Sequence, residues 1–125
     1  MRIVNYNEFV KTPKGTLYSE YAPCIFGEVR IKHDVIIHNG EVSDWYYQDL
    51  TNNPDWDYAE TYDIEAICKI MENGVEVPPD FDIIERDGMF DYDRKFLIYS
   101  KEDIKMLINK LKSLIDGQGQ EDTTA

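Results

Sequence analysis

Three Asp-x-Asp pairs are the residues whose type and spacing could do chemistry: Asp55-Trp56-Asp57, Asp80-Phe81-Asp82 and Asp91-Tyr92-Asp93. Carboxylates are hard oxygen ligands, so calcium or magnesium would be the ion to consider. None of the pairs extends into a calcium loop with its central Gly and terminal Glu, and alternating Asp along a strand also marks a solvated face. His33 and His38 have no Cys, Asp or Glu partner at a zinc spacing. A Cys24–His nucleophile pair would be a spatial arrangement, and no flanking signature announces one. Gly-rich phosphate loops and Ser elbows are missing too. The residues therefore predict a non-enzymatic chain without a metal or cofactor.

Charge is the unusual feature. The chain has 125 residues and a net charge of −12, which disfavours direct contact with nucleic acid or an anionic membrane. From Glu41 to Asp93 there are sixteen acidic residues and two basic ones, net −14; the remainder holds nine acidic and eleven basic, net +2. Aromatics stud this acidic middle: Asp44-Trp45-Tyr46-Tyr47-Gln48-Asp49, Asp55-Trp56-Asp57-Tyr58, Phe81 and Phe90-Asp91-Tyr92-Asp93. One reading has the aromatics filling the core and the acids solvating the surface. The other is a docking face, in which carboxylates imitate a phosphate track and aromatics supply anchoring area. On that reading Asp44, Trp45, Asp49, Asp55, Trp56, Asp57, Asp91, Tyr92 and Asp93 bind the basic groove of a nucleic-acid-handling protein.

The elements that must position these residues follow from pattern. Phe96–Tyr99 is a short apolar run, and Ser100 with Asp103 forms a capping-box variant. Ile104, Leu107, Ile108, Leu111 and Ile115 then fall on one helical stripe, with Leu114 at its edge. A sheet is expected to bury that stripe, and Gly117 is expected to stop the helix. Near the start, Asn5 and Glu8 predict a short capped helix to about Lys11, ahead of Pro13. Thr16–Tyr21 has β-formers at Thr16, Leu17, Tyr18 and Tyr21, Cys24–Lys32 reads as a strand, Val35–Ile37 as another, and Asn39-Gly40 as a type I′ hairpin turn returning through Val42–Leu50. A second helix is expected over Tyr58–Asn73, with Ile64, Ile67, Cys68 and Met71 on its apolar face and Gly74 at C′. Asp82–Arg86 and Phe90–Tyr99 complete the strands around an Asp87-Gly88 turn. The expected fold is α+β, an antiparallel or mixed sheet of about five strands with two to three helices packed on one face and a long amphipathic C-terminal helix. Residues 1–116 form a single domain and 117–125 a disordered tail. Cys24 and Cys68 are expected unbridged, Cys68 as a core thiol. No apolar run is long enough to span a membrane and no signal peptide is visible, so a cytoplasmic location is expected.

Residues 12–27 (Thr-Pro-Lys-Gly-Thr-Leu-Tyr-Ser-Glu-Tyr-Ala-Pro-Cys-Ile-Phe-Gly), the Asp44–Leu50 strand and Arg86-Asp-Gly-Met-Phe-Asp-Tyr-Asp resemble small uncharacterised proteins of phages and prophages of Gram-positive bacteria. The resemblance spans most of residues 5–115 and carries no catalytic residue. It is similar, as a class, to anti-CRISPR and anti-restriction inhibitors, several of which mimic DNA. What it implies is inhibition of a defence protein such as a CRISPR effector in a bacterial host cell. The alternative is a phage accessory or assembly protein that binds another phage protein, its acidity serving solubility.

Overall fold

Asn5 opens the first helix by a reciprocal cap. Its side-chain oxygen accepts from the Glu8 backbone N–H at 2.9 Å, and Glu8 Oε1 accepts from the Asn5 N–H at 3.4 Å. The helix, α1 (Tyr6–Val10), follows strand β1 (Arg2–Asn5). The remaining elements are β2 (Leu17–Ala22), β3 (Ile25–Phe26), β4 (Arg30–His38), β5 (Glu41–Asp49), α2 (Trp56–Ala59), α3 (Ile64–Glu72), β6 (Glu85–Arg86), β7 (Lys95–Ile98) and α4 (Lys101–Thr124). The computed structural model describes the side chains of residues 1–117 and the backbone as far as 124. The disordered tail expected at 117–125 lies outside the fully described residues, apart from Gly117. That glycine continues α4 and does not stop it.

The class is α+β, and the sheet is larger than expected. Seven strands, all paired antiparallel, run in the order β1-β7-β2-β4-β5-β6, with β3 paired to β2. The strands missed in the sequence are β1, hidden next to a strong helix signal, and β3, two residues long. Pro23 and Cys24 form the turn between β2 and β3, with Cys24 in the left-handed region at φ 62°. The strand expected over Cys24–Lys32 is split into β3 and the start of β4 by residues 27–29, which lie in no strand. The Asn39-Gly40 turn has φ 52° and 79°, the positive pair a type I′ hairpin needs.

One sheet face holds the core. Phe9 of α1 stacks on Phe96 at 4.0 Å between ring centroids, and Tyr18 and Trp45 close around it. Trp45 Nε1 donates to the Tyr18 hydroxyl at 3.1 Å, so the buried indole N–H is satisfied. Lys32 points into this core from β4 and is 1% exposed. Its Nζ donates to the carbonyls of Phe9 (3.3 Å), Val10 (3.1 Å) and Thr12, the chain leaving α1. The Phe9 carbonyl also accepts from the Thr12 N–H and hydroxyl, and an ammonium suits the negative end of the helix dipole. Burial pushes the Lys32 amine down to about 8.

Helix packing departs from expectation in two places. The α4 stripe is half-buried only at Ile104 and Leu107; Ile108 and Leu114 are exposed, Leu111 is 49% exposed and Ile115 71%. The helix does begin as expected, with Asp103 Oδ2 accepting from the Ser100 N–H at 2.8 Å and Ser100 Oγ from the Asp103 N–H at 3.1 Å. The aromatic core is covered by α1, a five-residue helix with two large rings, so α4 is not needed there. The helix expected over Tyr58–Asn73 is two helices, separated at Glu60, which takes the left-handed φ of 56°. Of its expected apolar face only Ile67 is buried; Ile64 and Met71 are exposed, and Cys68 is an exposed thiol and not a core one. Both cysteines are free. The C-terminal end of α3 matches expectation closely. Val75 N–H reaches the Ile70 carbonyl at 3.2 Å and Gly74 N–H the Met71 carbonyl at 3.0 Å, with Gly74 at φ 89°, a complete Schellman cap. No helix among the described residues is long and apolar enough to cross a membrane.

Candidate partner-binding surface

The acidic middle divides into two groups that the sequence did not separate. Asp44, Asp49 and Asp87 are structural. Asp44 is 1% exposed; its carboxylate takes Arg86 Nε, the Trp45 N–H at 2.9 Å and the Gly88 N–H at 3.0 Å. Burial raises its proton affinity, yet these donors outweigh burial and leave the pKa below the ordinary carboxylate value. Asp49 accepts from Arg30 Nε at 2.9 Å, and the Arg30 guanidinium lies 4.2 Å from the centre of the Tyr47 ring. Tyr47 donates its hydroxyl to Glu85 Oε2 at 2.9 Å; burial, then this bond, pushes that phenol up to about 12. Arg94 holds Asp87 through two bonds, 3.0 and 2.6 Å, and reaches Glu20 at 2.7 Å. The same guanidinium sits over the Trp45 ring at 5.0 Å and the Phe96 ring at 5.4 Å. These ions tie β2, β4, β5, β6 and the 87–94 turn together.

Two of the nine expected contact residues, Asp44 and Trp45, are thereby withdrawn from the surface. Arg86 of β6 and Gly88 of its turn cover Asp44, while Trp45 belongs to the core. Asp49 is only partly exposed and already paired. The other six remain at or near the surface: Asp55 and Trp56 are half-buried, and Asp57, Asp91, Tyr92 and Asp93 are exposed.

The second acidic group is a lobe built by residues 51–85, which leave the sheet after β5 and return at β6. It holds ten acidic residues and one base, Lys69, net −9. Asp55 caps α2 by accepting the Tyr58 N–H at 3.0 Å, and Asp63 caps α3 by accepting the Glu65 N–H at 3.0 Å. The lobe is closed by two main-chain bonds, Asp55 N–H to the Pro78 carbonyl and Asp80 N–H to the Asn53 carbonyl, each 2.8 Å. Three of its four aromatics face water, and Trp56 is half-buried. Tyr62 is 82% exposed, and its hydroxyl donates to Asp57 Oδ1 at 2.6 Å, which raises the phenol pKa. Tyr58 and Phe81 are also exposed. Outside the lobe, Asp91 accepts the Asp93 N–H at 3.0 Å in an Asx turn, and Tyr92 meets Tyr6 of α1 edge-on at 5.0 Å.

The pattern over Tyr58–Asn73 reads as one continuous helix, which hides Glu60, Tyr62 and Asp63 as surface residues. The available signal was Thr61-x-Asp63 ahead of Ile64: Thr61 Oγ1 accepts the Asp63 N–H at 3.2 Å, and Asp63 then caps α3. Among the described residues no three His, Cys, Asp or Glu side chains gather into a group that could hold a metal ion. No family model, curated protein or solved structure matches the chain.

Proposed function

We propose that this chain is a non-enzymatic inhibitor that docks on the basic groove of a bacterial nucleic-acid-handling protein, of which a CRISPR effector is the leading candidate. The 51–85 lobe is the observation that carries the reading: net −9, with Tyr58, Tyr62 and Phe81 exposed among its carboxylates. Acids needed only for solubility require no unburied rings beside them, whereas a docking face needs both charge for steering and aromatic area for anchoring. Asp91, Tyr92 and Asp93, also exposed, repeat the pairing of carboxylates with an aromatic ring. The reading places the protein in the host cytoplasm, where such a target works.

The test is competition. Binding of a candidate effector to its nucleic acid is measured with the wild-type chain, with Asp57→Asn/Asp63→Asn and with Tyr62→Ala. Loss of inhibition at an unchanged melting temperature supports docking through the lobe, and so does a steep fall of affinity with salt. Full inhibition by both variants would sink it.

A second reading has its own observation. The exposed apolar residues of α4 suit a phage accessory or assembly protein that binds another protein through an apolar face, with affinity little affected by salt.

A further inference from the structure

The chain carries two apolar surfaces without partners, and their charges are opposite. The first is a groove of about 330 Å³ on the acidic lobe, lined by Ile64, Ile67, Cys68 and Met71 of α3 against Val77 and Pro79 of the returning segment. The lobe that carries the groove has ten acidic residues and one base, net −9. The second is the outer part of the α4 stripe: Ile108, Leu111 and Ile115, exposed at helical spacing. From Ile104 to Ile115 that helix holds Lys105, Lys110 and Lys112 and no acid. A helix laid in a groove is read through apolar anchors spaced by three, four and seven residues, and this stripe presents 108, 111 and 115.

Sheet topology keeps the two surfaces apart within one chain. The lobe hangs between β5 and β6 at one edge of the sheet, while α4 follows β7, next to the other edge strand, β1. Five strand spacings of roughly 4.8 Å separate the edge strands. A second copy turned by a two-fold axis presents its groove to α4 and its α4 to the groove, so two identical contacts close a dimer.

We infer that α4 of one copy docks its Ile108–Leu111–Ile115 stripe into the acidic Ile64–Met71–Val77 groove of a second copy. Apolar burial supplies the attraction, and the lysines against the lobe carboxylates fix the orientation. The groove thereby has a named occupant, and the exposed stripe a reason for its exposure.

Sedimentation of the full chain across a wide concentration range tests this without any target present, so its failure would leave docking on a defence protein untouched. The mass is expected to double with concentration, and less readily at high salt. Leu111→Asp and Ile64→Asp each sit at exposed positions, so each is expected to melt as the wild type does and to remain a monomer; Ile115→Asp serves if Leu111→Asp fails to fold. Mixing the two variants is the decisive step. The pair retains one wild-type helix facing one wild-type groove, so a mixed dimer forms although neither variant dimerises alone. Thiol labelling adds a second readout: Cys68 is protected in the dimer while Cys24, in its β2–β3 turn, reacts freely. A wild-type chain monomeric at every concentration would overturn the inference. So would a dimer that Leu111→Asp breaks but Ile64→Asp leaves intact, because that pattern means helix-to-helix pairing.

Discussion

Arg94 grips Asp87 with two parallel N–H···O bonds of 3.0 and 2.6 Å, and both side chains are nearly sealed from water. Fork-on-carboxylate geometry is the strongest form of ion pair, and this one also lies over Trp45 and Phe96. Removing Asp87 leaves the buried Arg94 guanidinium with Glu20 as its remaining carboxylate. We expect Asp87→Ala to cost about 3 kcal/mol of stability, the low end of the range for breaking a buried pair. Denaturant unfolding measures it, and a loss under about 1 kcal/mol, the size of an exposed pair, would show that water reaches the site.

Asp44 should govern the acid limb. Its folded pKa is depressed by Arg86 and by the Gly88 and Trp45 N–H groups, which outweigh burial. A carboxylate with a depressed folded pKa stabilises the fold above its unfolded value, about 3.9, and that contribution is lost as pH falls through the folded value. Asp44→Asn should therefore lower stability at neutral pH and flatten its fall below about pH 4. Parallel acid-unfolding curves for the variant and the wild type would refute this role.

Much of this fold was legible because local signals sufficed. Asn5 with Glu8, Asn39-Gly40 and Gly74 each announce a cap or turn whose geometry is set within a few residues, and each formed as read. Burial was less legible, because it depends on what else competes for a face. The α4 pattern announces a helix but not its cover, and Phe9 and Tyr6 of a five-residue helix occupy the place it was assigned. Asp44 and Asp57 read alike in the sequence, since both sit beside aromatics. What separates them is forty-two residues away: Arg86, brought back by β6, meets Asp44 and not Asp57. The lobe was half-legible, its acidity plain and its exposed Tyr62 hidden by the break at Glu60.

The sizes of two substitutions separate core from periphery. Phe9 is fully buried and stacked on Phe96, so Phe9→Ala should cost about 3–5 kcal/mol. Leu111 is half-exposed, so Leu111→Ala should stay within about 0.5 kcal/mol of wild type in the monomer. Unfolding should be followed at a concentration where sedimentation shows single copies. A large loss at Leu111 under those conditions would place α4 on the sheet after all.

Lys32 offers the sharpest test of the core. Burial lowers its amine to about 8, against 10.5 for an ordinary lysine, while carbonyls of Phe9, Val10 and Thr12 accept its protons. Below pH 8 both the folded and the unfolded chain hold the proton, and the cost of burying the charge is constant. Between about 8 and 10.5 the unfolded chain keeps a proton that the folded chain has released, so Lys32 contributes stability that rises with pH across that window. Wild type minus Lys32→Met isolates the effect from the other lysines and the tyrosines, because those titrate in both chains. The difference in unfolding free energy should climb through the window and level off above it. Carbon-13 NMR of the Lys32 Cε should show a midpoint near 8, well below the 10.5 of an ordinary lysine. A Lys32 midpoint at 10.5 would mean that the three carbonyls hold the proton strongly enough to cancel the effect of burial.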